Sequence, residues 1–333
     1  MFITIYILFP LIIYLYPWIL AKCILLNTAF ITVFTNLKKP DYFKFTKGNW
    51  RYLRIKNNYS KCELGAWEII CKEDEINNKD KLNKEEFMKI FSNGRPIIIY
   101  FHGITMHRGS SHRVELYHML RNSGYHILTV DYKGFGDSSG SINDEEELLE
   151  DAFVTYQYAK KVAPNSPLFV WGHSLGTGIS SLLLKKLSNI DGCASIDGLI
   201  LESPFTSILE TMDHICFTWP WRYMPYFNCI FKQSLIDQKI TFSSIENLKV
   251  VNVPIIILHA EDDRILKFEM GQKLYSTLKS EGKNVFFKGF SSKFGYGHKH
   301  IIRYPELPNL IREFTNGALT QKLSGHSMCL QCN

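Results

Sequence analysis

The first twenty residues carry no charge, and Lys22 stands alone before Lys38, so the chain opens on one apolar stretch. About 20 apolar residues span a bilayer, whereas the core of a secretory signal needs only about 7 to 15 and follows a basic start, which Met1-Phe2-Ile3-Thr4 does not supply. The pattern predicts a retained membrane anchor over residues 1–36. Pro10 and Pro17 interrupt the run, which accommodates a kinked span followed by an interfacial stretch over 24–37 as well as one straight helix. Lys22, Lys38 and Lys39 lie behind it, and the positive-inside rule alone would leave the rest of the chain cytoplasmic.

Over residues 37–95, Asn- and Lys-rich turns such as Asn77-Asn78-Lys79-Asp80-Lys81 predict a loose approach segment. From 95 onward, short β-branched runs alternate with stretches of helical period, as in a parallel sheet covered on both faces. Strands are predicted over 96–101, 125–130, 168–171, 198–201, 253–258 and 284–290. Helices are predicted over 112–122, 144–162, 175–187, 267–279 and 305–315, with Gly317 as the final stop. The expected fold class is α/β, a mostly parallel doubly wound sheet, in a catalytic domain over 96–317 followed by a polar tail over 318–333. Residues 204–250 form an insertion where such a domain carries a lid. Its aromatic run, Phe217-Thr-Trp-Pro-Trp-Arg-Tyr-Met-Pro-Tyr-Phe227, suits a packed cap core and a bilayer interface equally.

Composition narrows the function classes. At 46% hydrophobic, 333 residues can bury one large core. The net charge of +6 arises from 38 basic and 32 acidic residues scattered without a basic block, which argues against a nucleic-acid partner. Eight cysteines lack paired metal-ligand spacing, and Cys329-x-x-Cys332 in the tail reads as incidental, so neither a metal nor an organic cofactor is expected. Asn58-Tyr59-Ser60 is an N-glycosylation sequon just beyond the anchor and points to a lumenal domain, against the lysine count.

The strongest chemical signal is Gly172-His173-Ser174-Leu175-Gly176, placed between a predicted strand and a predicted helix. A sharp strand-to-helix elbow exposes a serine when glycines on either side let the neighbouring chain pass close, and the following helix directs N–H groups at developing negative charge. Ser174 is therefore the expected nucleophile. It needs an imidazole to take its proton and a carboxylate to hold that imidazole in one tautomer. His298, in the glycine-rich loop Phe294-Gly-Tyr-Gly-His298-Lys-His300 after the last strand, is the expected base, with His300 as its competitor. Asp263 is the expected acid, three residues after Ala260 at a strand end and followed by Ile265-Leu266. Asp262 is then a loop cap or supporting acceptor, and Glu202 a rarer alternative. The oxyanion needs two N–H donors, each worth about 3 to 4 kcal/mol. Leu175 supplies one, and Ile104 after His102-Gly103 supplies the other, His102 itself bracing that loop. Arg108 in His107-Arg108-Gly-Ser-Ser-His112-Arg113 is the candidate for an anionic headgroup, a solvated loop arginine being the alternative, whereas Arg113 is expected to serve its helix through Glu115 or another neighbour.

The chain resembles the abhydrolase domain-containing protein 12 family of the α/β-hydrolase superfamily, lysophosphatidylserine lipases that also cleave monoacylglycerols. The resemblance runs through Leu37-Lys-Lys-Pro40, Arg113-Val-Glu-Leu-Tyr117, Trp171-Gly-His-Ser-Leu-Gly-Thr-Gly178, Leu199-Ile-Leu-Glu-Ser-Pro-Phe-Thr206, Leu258-His-Ala-Glu-Asp-Asp263, Gly295-Tyr-Gly-His-Lys299 and Pro305-Glu-Leu-Pro308. Asp131-Tyr-Lys-Gly-Phe-Gly-Asp-Ser138 is generic to the superfamily. It implies Ser174, Asp263 and His298 as the triad, lipid substrates at a membrane, and an endoplasmic-reticulum protein with a lumenal, glycosylated catalytic domain. Two departures stand out. Ile104-Thr-Met-His-Arg replaces the family's small polar loop, and a long charged N-terminal region is missing, as in a shortened form or a related paralogue. A thioesterase acting on acylated protein cysteines and a non-catalytic membrane scaffold are the alternatives.

Overall fold

The computed structural model describes residues 2–25, 35–45, 48–75, 82–191, 196–215 and 218–330. Six predicted strands appear as β3 (Ile97–Phe101), β4 (His126–Val130), β5 (Leu168–His173), β6 (Gly198–Glu202), β7 (Ile255–Ala260) and β8 (Val285–Phe290). All pair in parallel in the order β4-β3-β5-β6-β7-β8. β3 to β7 are buried along their whole length, as their largely apolar runs require between two helical layers, while β8 at the sheet edge is partly open.

Within the approach segment two strands belong to this sheet, contrary to the loose segment expected over 37–95, while Asn77-Asn78-Lys79-Asp80-Lys81 lies outside the described residues. β1 (Trp50–Asn57) and β2 (Cys62–Ile69) form a hairpin, and β2 pairs antiparallel with β4, completing eight strands among the described residues. Charges within these strands hid them. Arg51 pairs with the buried Glu68 at 2.6 Å across the hairpin, and Tyr158 Oη donates to the other Glu68 oxygen, so a carboxylate sits inside the sheet's packing with both oxygens satisfied.

The helices are α1 (Phe2–Leu15), α2 (Pro17–Leu25), α3 (Lys84–Phe91), α4 (Ser111–Asn122), α5 (Glu145–Val162), α6 (Leu175–Asp191), α7 (Ile208–Thr211), α8 (Gln233–Asp237), α9 (Ser244–Lys249), α10 (Phe268–Ser280) and α11 (Leu307–Leu330). One apolar cluster, on the α5, α6 and α10 face, extends into the cap and the N-terminal helices. The other lies under α4 and α11. Gly317 does not stop α11, which runs on through the expected polar tail to Leu330. An exposed glycine costs a helix only about 1 kcal/mol, and helical turns on both sides carry it.

No single described helix is long and apolar enough to cross a membrane; Tyr6–Leu15 and Pro17–Leu25 meet that test only together, bent by 102° at their break. Most of the interfacial stretch expected over 24–37 lies outside the described residues, as does Cys332 of the tail pair. The described part of residues 204–250 forms a cap of short helices and turns. Within its aromatic run, Trp221 and Phe227 are buried while Trp219, Tyr223 and Tyr226 face outward. The run thus has a packed inner side and an exposed outer one.

Candidate active site

Ser174 sits at the junction of β5 and α6 with φ +54°, the left-handed region that a non-glycine residue enters at a cost. The turn is over-determined by its neighbours. A Cβ on Gly172 would meet Gly176 O at 2.4 Å, and one on Gly176 would meet Phe101 O at 2.0 Å, so both positions need glycine for close approach. Ser174 N–H donates to Glu202 O, tying the elbow to β6.

The structure brings the three predicted groups together. His298 Nε2 lies 2.9 Å from Ser174 Oγ, and its Nδ1 lies 2.7 Å from Asp263 Oδ2. Asp263 is buried at the end of β7, where its Oδ1 accepts from the N–H groups of Ile265 and Leu266. Burial opposes its ionisation, but the contacts from His259 and His298 and the Leu266 N–H outweigh that, holding the carboxyl far below its usual range. Asp262 takes the expected supporting role, accepting from Gly297 N–H at 3.0 Å just before His298. His300 begins the short 3-10 turn Ile301–Arg303 instead of facing the serine.

Glu202 lies on the strand between nucleophile and acid. One oxygen accepts from Trp171 Nε1 at 2.9 Å, and burial pushes its carboxyl up to about 7, the indole opposing and the Asp263 charge adding to the rise. Among the described residues its carboxylate makes no hydrogen bond to the serine or to a histidine.

The loop after β3 lies on the elbow, where a Cβ on Gly103 would stand 3.1 Å from both Ser174 Cβ and His173 Nδ1. His102 braces that loop as expected, buried with Nδ1 donating to Gly103 O at 2.7 Å. Two bracing residues were not foreseen. Arg113 is buried and donates to Gly103 O, Thr105 O and His107 O, while Glu115 pairs instead with Arg303. Because a trans peptide directs its C=O and N–H oppositely, fixing the Gly103 carbonyl on the Arg113 side turns the Ile104 N–H away from it. His173 is the second. Burial, then the neighbouring histidines, keep it neutral, and its Nε2–H donates to His298 O at 2.8 Å, anchoring the backbone of the proposed base. The one available signal for His173 was its place inside the elbow motif; nothing local marked Arg113.

Arg108 does not face the site and corrects the headgroup expectation. Its side chain is wholly buried, with the guanidinium on Asp131, on Asp137 at 2.7 Å and on Leu37 O at 3.3 Å, while its N–H donates to Asp131 Oδ1. Two carboxylates outcompete any ligand for that fork. Arg108→Ala would leave buried charge uncompensated, so we expect about 3–5 kcal/mol of lost stability in a denaturant melt. A folded variant of wild-type stability with only a raised lysophospholipid KM would restore the headgroup role.

A cavity of about 390 Å³ opens beside Ser174. Its walls are Ile104 and Leu175, then Phe205, Ile208 and Met212 of the cap, Ile265 and Leu266 after β7, and Cys23 and Ile24 of α2. Asn58, the sequon residue, is exposed in the β1–β2 turn, where Asn57 Oδ1 accepts from Tyr59 and Ser60 N–H.

The zebrafish (Danio rerio) lysophosphatidylserine lipase ABHD12 is 38% identical over 316 residues, covering 93% of this chain and 80% of that protein. The chain belongs to the ABHD12 family. The rat (Rattus norvegicus) lysophosphatidylserine lipase ABHD12 matches at 37%, covering 93% of this chain and 77% of that one, and human ABHD12B at 34%, covering 84% and 75%. A family model described as serine aminopeptidase, S33, matches residues 92–246. Solved structures share the fold at low identity. An α/β-hydrolase from Vibrio vulnificus superposes with TM-score 0.62 at 19% identity, covering 90% of this chain and 92% of that one. The Pyrococcus furiosus esterase Pf2001 superposes with TM-score 0.58 at 18%, covering 84% and 92%. This member of the ABHD12 family is thus a serine hydrolase of the α/β-hydrolase fold, with its nucleophile elbow opening on an apolar cavity.

Proposed function

We propose that the protein hydrolyses the single fatty-acyl ester of lysophospholipids, lysophosphatidylserine among them, and of monoacylglycerols. The observation that carries this is the apolar cavity lined by Ser174, Leu175 and Ile104, whose character suits one acyl chain with its ester at the serine. Ser174 Oγ attacks the carbonyl carbon while its proton passes to His298 Nε2. Asp263 keeps Nδ1–H in place and stabilises the imidazolium. The N–H groups of Leu175, at the open start of α6, and Ile104 receive the oxyanion. The bond to the glycerol oxygen then breaks as His298 returns the proton to it, and water, deprotonated by His298, releases the fatty acid and regenerates Ser174.

Detergent-solubilised protein offered oleoyl lysophosphatidylserine, monooleoylglycerol and a palmitoyl-cysteine peptide should release fatty acid from the first two. Release from the peptide alone would favour the thioesterase, and release from none the scaffold.

Leu11 and Leu15 of α1 and Trp18 of α2 are exposed apolar residues, as are Trp219 and Tyr223 of the cap, and α1 contacts that cap through Tyr6 and Phe9, which supports attachment to a bilayer. The reading extends to an endoplasmic-reticulum membrane protein with a lumenal catalytic domain, since Asn58 stands free on its turn. Protein from eukaryotic cells should then pellet with membranes and gain gel mobility after endoglycosidase treatment. Unchanged mobility would reject a modified lumenal Asn58.

A further inference from the structure

We propose that α2, through Cys23 and Ile24, is the wall against which the substrate's acyl chain is measured, so that the N-terminal helices set chain-length selectivity. This deepens the lipase reading and rests on the cavity being an acyl site. The two side chains line the same cavity as Ser174, Leu175 and Ile104, although they come from a segment that precedes the whole sheet in sequence.

A wall measures a chain only if it is held in place, and α1 and α2 are held from several directions. Pro10 has no N–H, so the Tyr6 carbonyl four residues earlier loses its helical partner. Trp221 of the cap fills that position, donating its Nε1–H to Tyr6 O at 2.8 Å. Its ring stacks on Tyr6 at 5.9 Å and packs with Phe9 at 5.0 Å and Phe231 at 5.9 Å. On α2, Lys22 Nζ donates to Ile142 O at 2.7 Å and Asn143 Oδ1 at 3.0 Å in the loop before α5. Leu20, Ala21 and Leu25 are buried around it. The features that read as a kinked anchor, its proline and its lone lysine, are the ones that dock the segment onto the catalytic domain.

Burying one more methylene against such a wall is worth about fourfold in kcat/KM, so a bulkier residue there cuts the gain from the last carbons. The test is a p-nitrophenyl ester series from butyrate to palmitate with the detergent-solubilised full chain. Ile24→Trp should lower the palmitate-to-butyrate ratio of kcat/KM by about tenfold or more. Trp18→Ala, on the exposed side of the same helix, should leave that ratio at the wild-type value. An unchanged ratio in Ile24→Trp protein that still reacts with a fluorophosphonate overturns the proposal.

A second measurement needs no variant. Hexadecyl and methyl fluorophosphonates each form a phosphorus–oxygen bond to Ser174 Oγ with loss of fluoride, and N-ethylmaleimide alkylation of Cys23 is then read by peptide mass spectrometry. The hexadecyl adduct should slow that alkylation several-fold and the methyl adduct should not; equal rates overturn the proposal. These esters carry no headgroup. Failure on lysophospholipids with a normal chain-length profile would therefore reject the substrate assignment and leave the α2 wall standing, while the Cys23 footprint decides it if no ester is cleaved.

Discussion

Replacing Ser174 by alanine is expected to abolish fluorophosphonate labelling and to lower fatty-acid release by about a million-fold, the scale of loss when a serine nucleophile is removed. The fold should survive. The elbow is set by glycine contacts around it and by the Ser174 N–H on Glu202 O, none of which uses the hydroxyl. Alanine bears the same positive φ that serine already bears. The expected result is therefore a protein with the wild-type melting transition that neither labels nor turns over. Labelling of the folded variant at the wild-type rate would place the nucleophile elsewhere.

The second large effect separates two adjacent carboxylates. Asp263→Asn keeps the size of the side chain but lets an amide donate to His298 Nδ1, which puts the imidazole proton on Nε2 and leaves no base facing Ser174 Oγ. Turnover should fall by about ten-thousand-fold. Asp262 touches only the backbone N–H of Gly297 in that loop, an interaction an asparagine oxygen can still accept, so Asp262→Asn should cost less than about tenfold. A reversed ranking would move the acid to Asp262 and contradict the geometry in which Asp263 Oδ2 meets His298 at 2.7 Å.

What could be read from the sequence was local. Ser174 and Asp263 follow strand ends within three residues and His298 sits in the glycine-rich loop after the last strand, so strand assignment and loop spacing were enough to choose them, including Asp263 over its neighbour. β3 to β7 announced themselves because buried parallel strands are largely apolar, and β8, although partly open at the edge, kept enough of that pattern around Lys288. β1 and β2 did not, because Arg51, Arg54 and Glu68 break the pattern and their partners Tyr158 and Asp137 lie far along the chain. Arg108 failed for the same reason. Its loop position resembled an open arginine until Asp131 and Asp137 folded onto it from the next strand's end and the loop beyond. Arg113 and His173 act on backbone carbonyls, which leave no trace in a residue pattern. The N-terminal stretch was apolar enough to be noticed, but only the placement of Trp221 and Asn143 shows where it docks.

The acyl-enzyme is the central claim. Mixing the full chain with excess oleoyl lysophosphatidylserine, quenching in acid within the first turnovers and mapping the peptides by mass spectrometry tests it directly. An oleoyl ester should appear on the peptide that carries Ser174, at a level that rises to a steady state while free oleate accumulates. Oleate accumulating with no acyl group on that peptide, or with the acyl group on Cys23 in the same cavity, would contradict it.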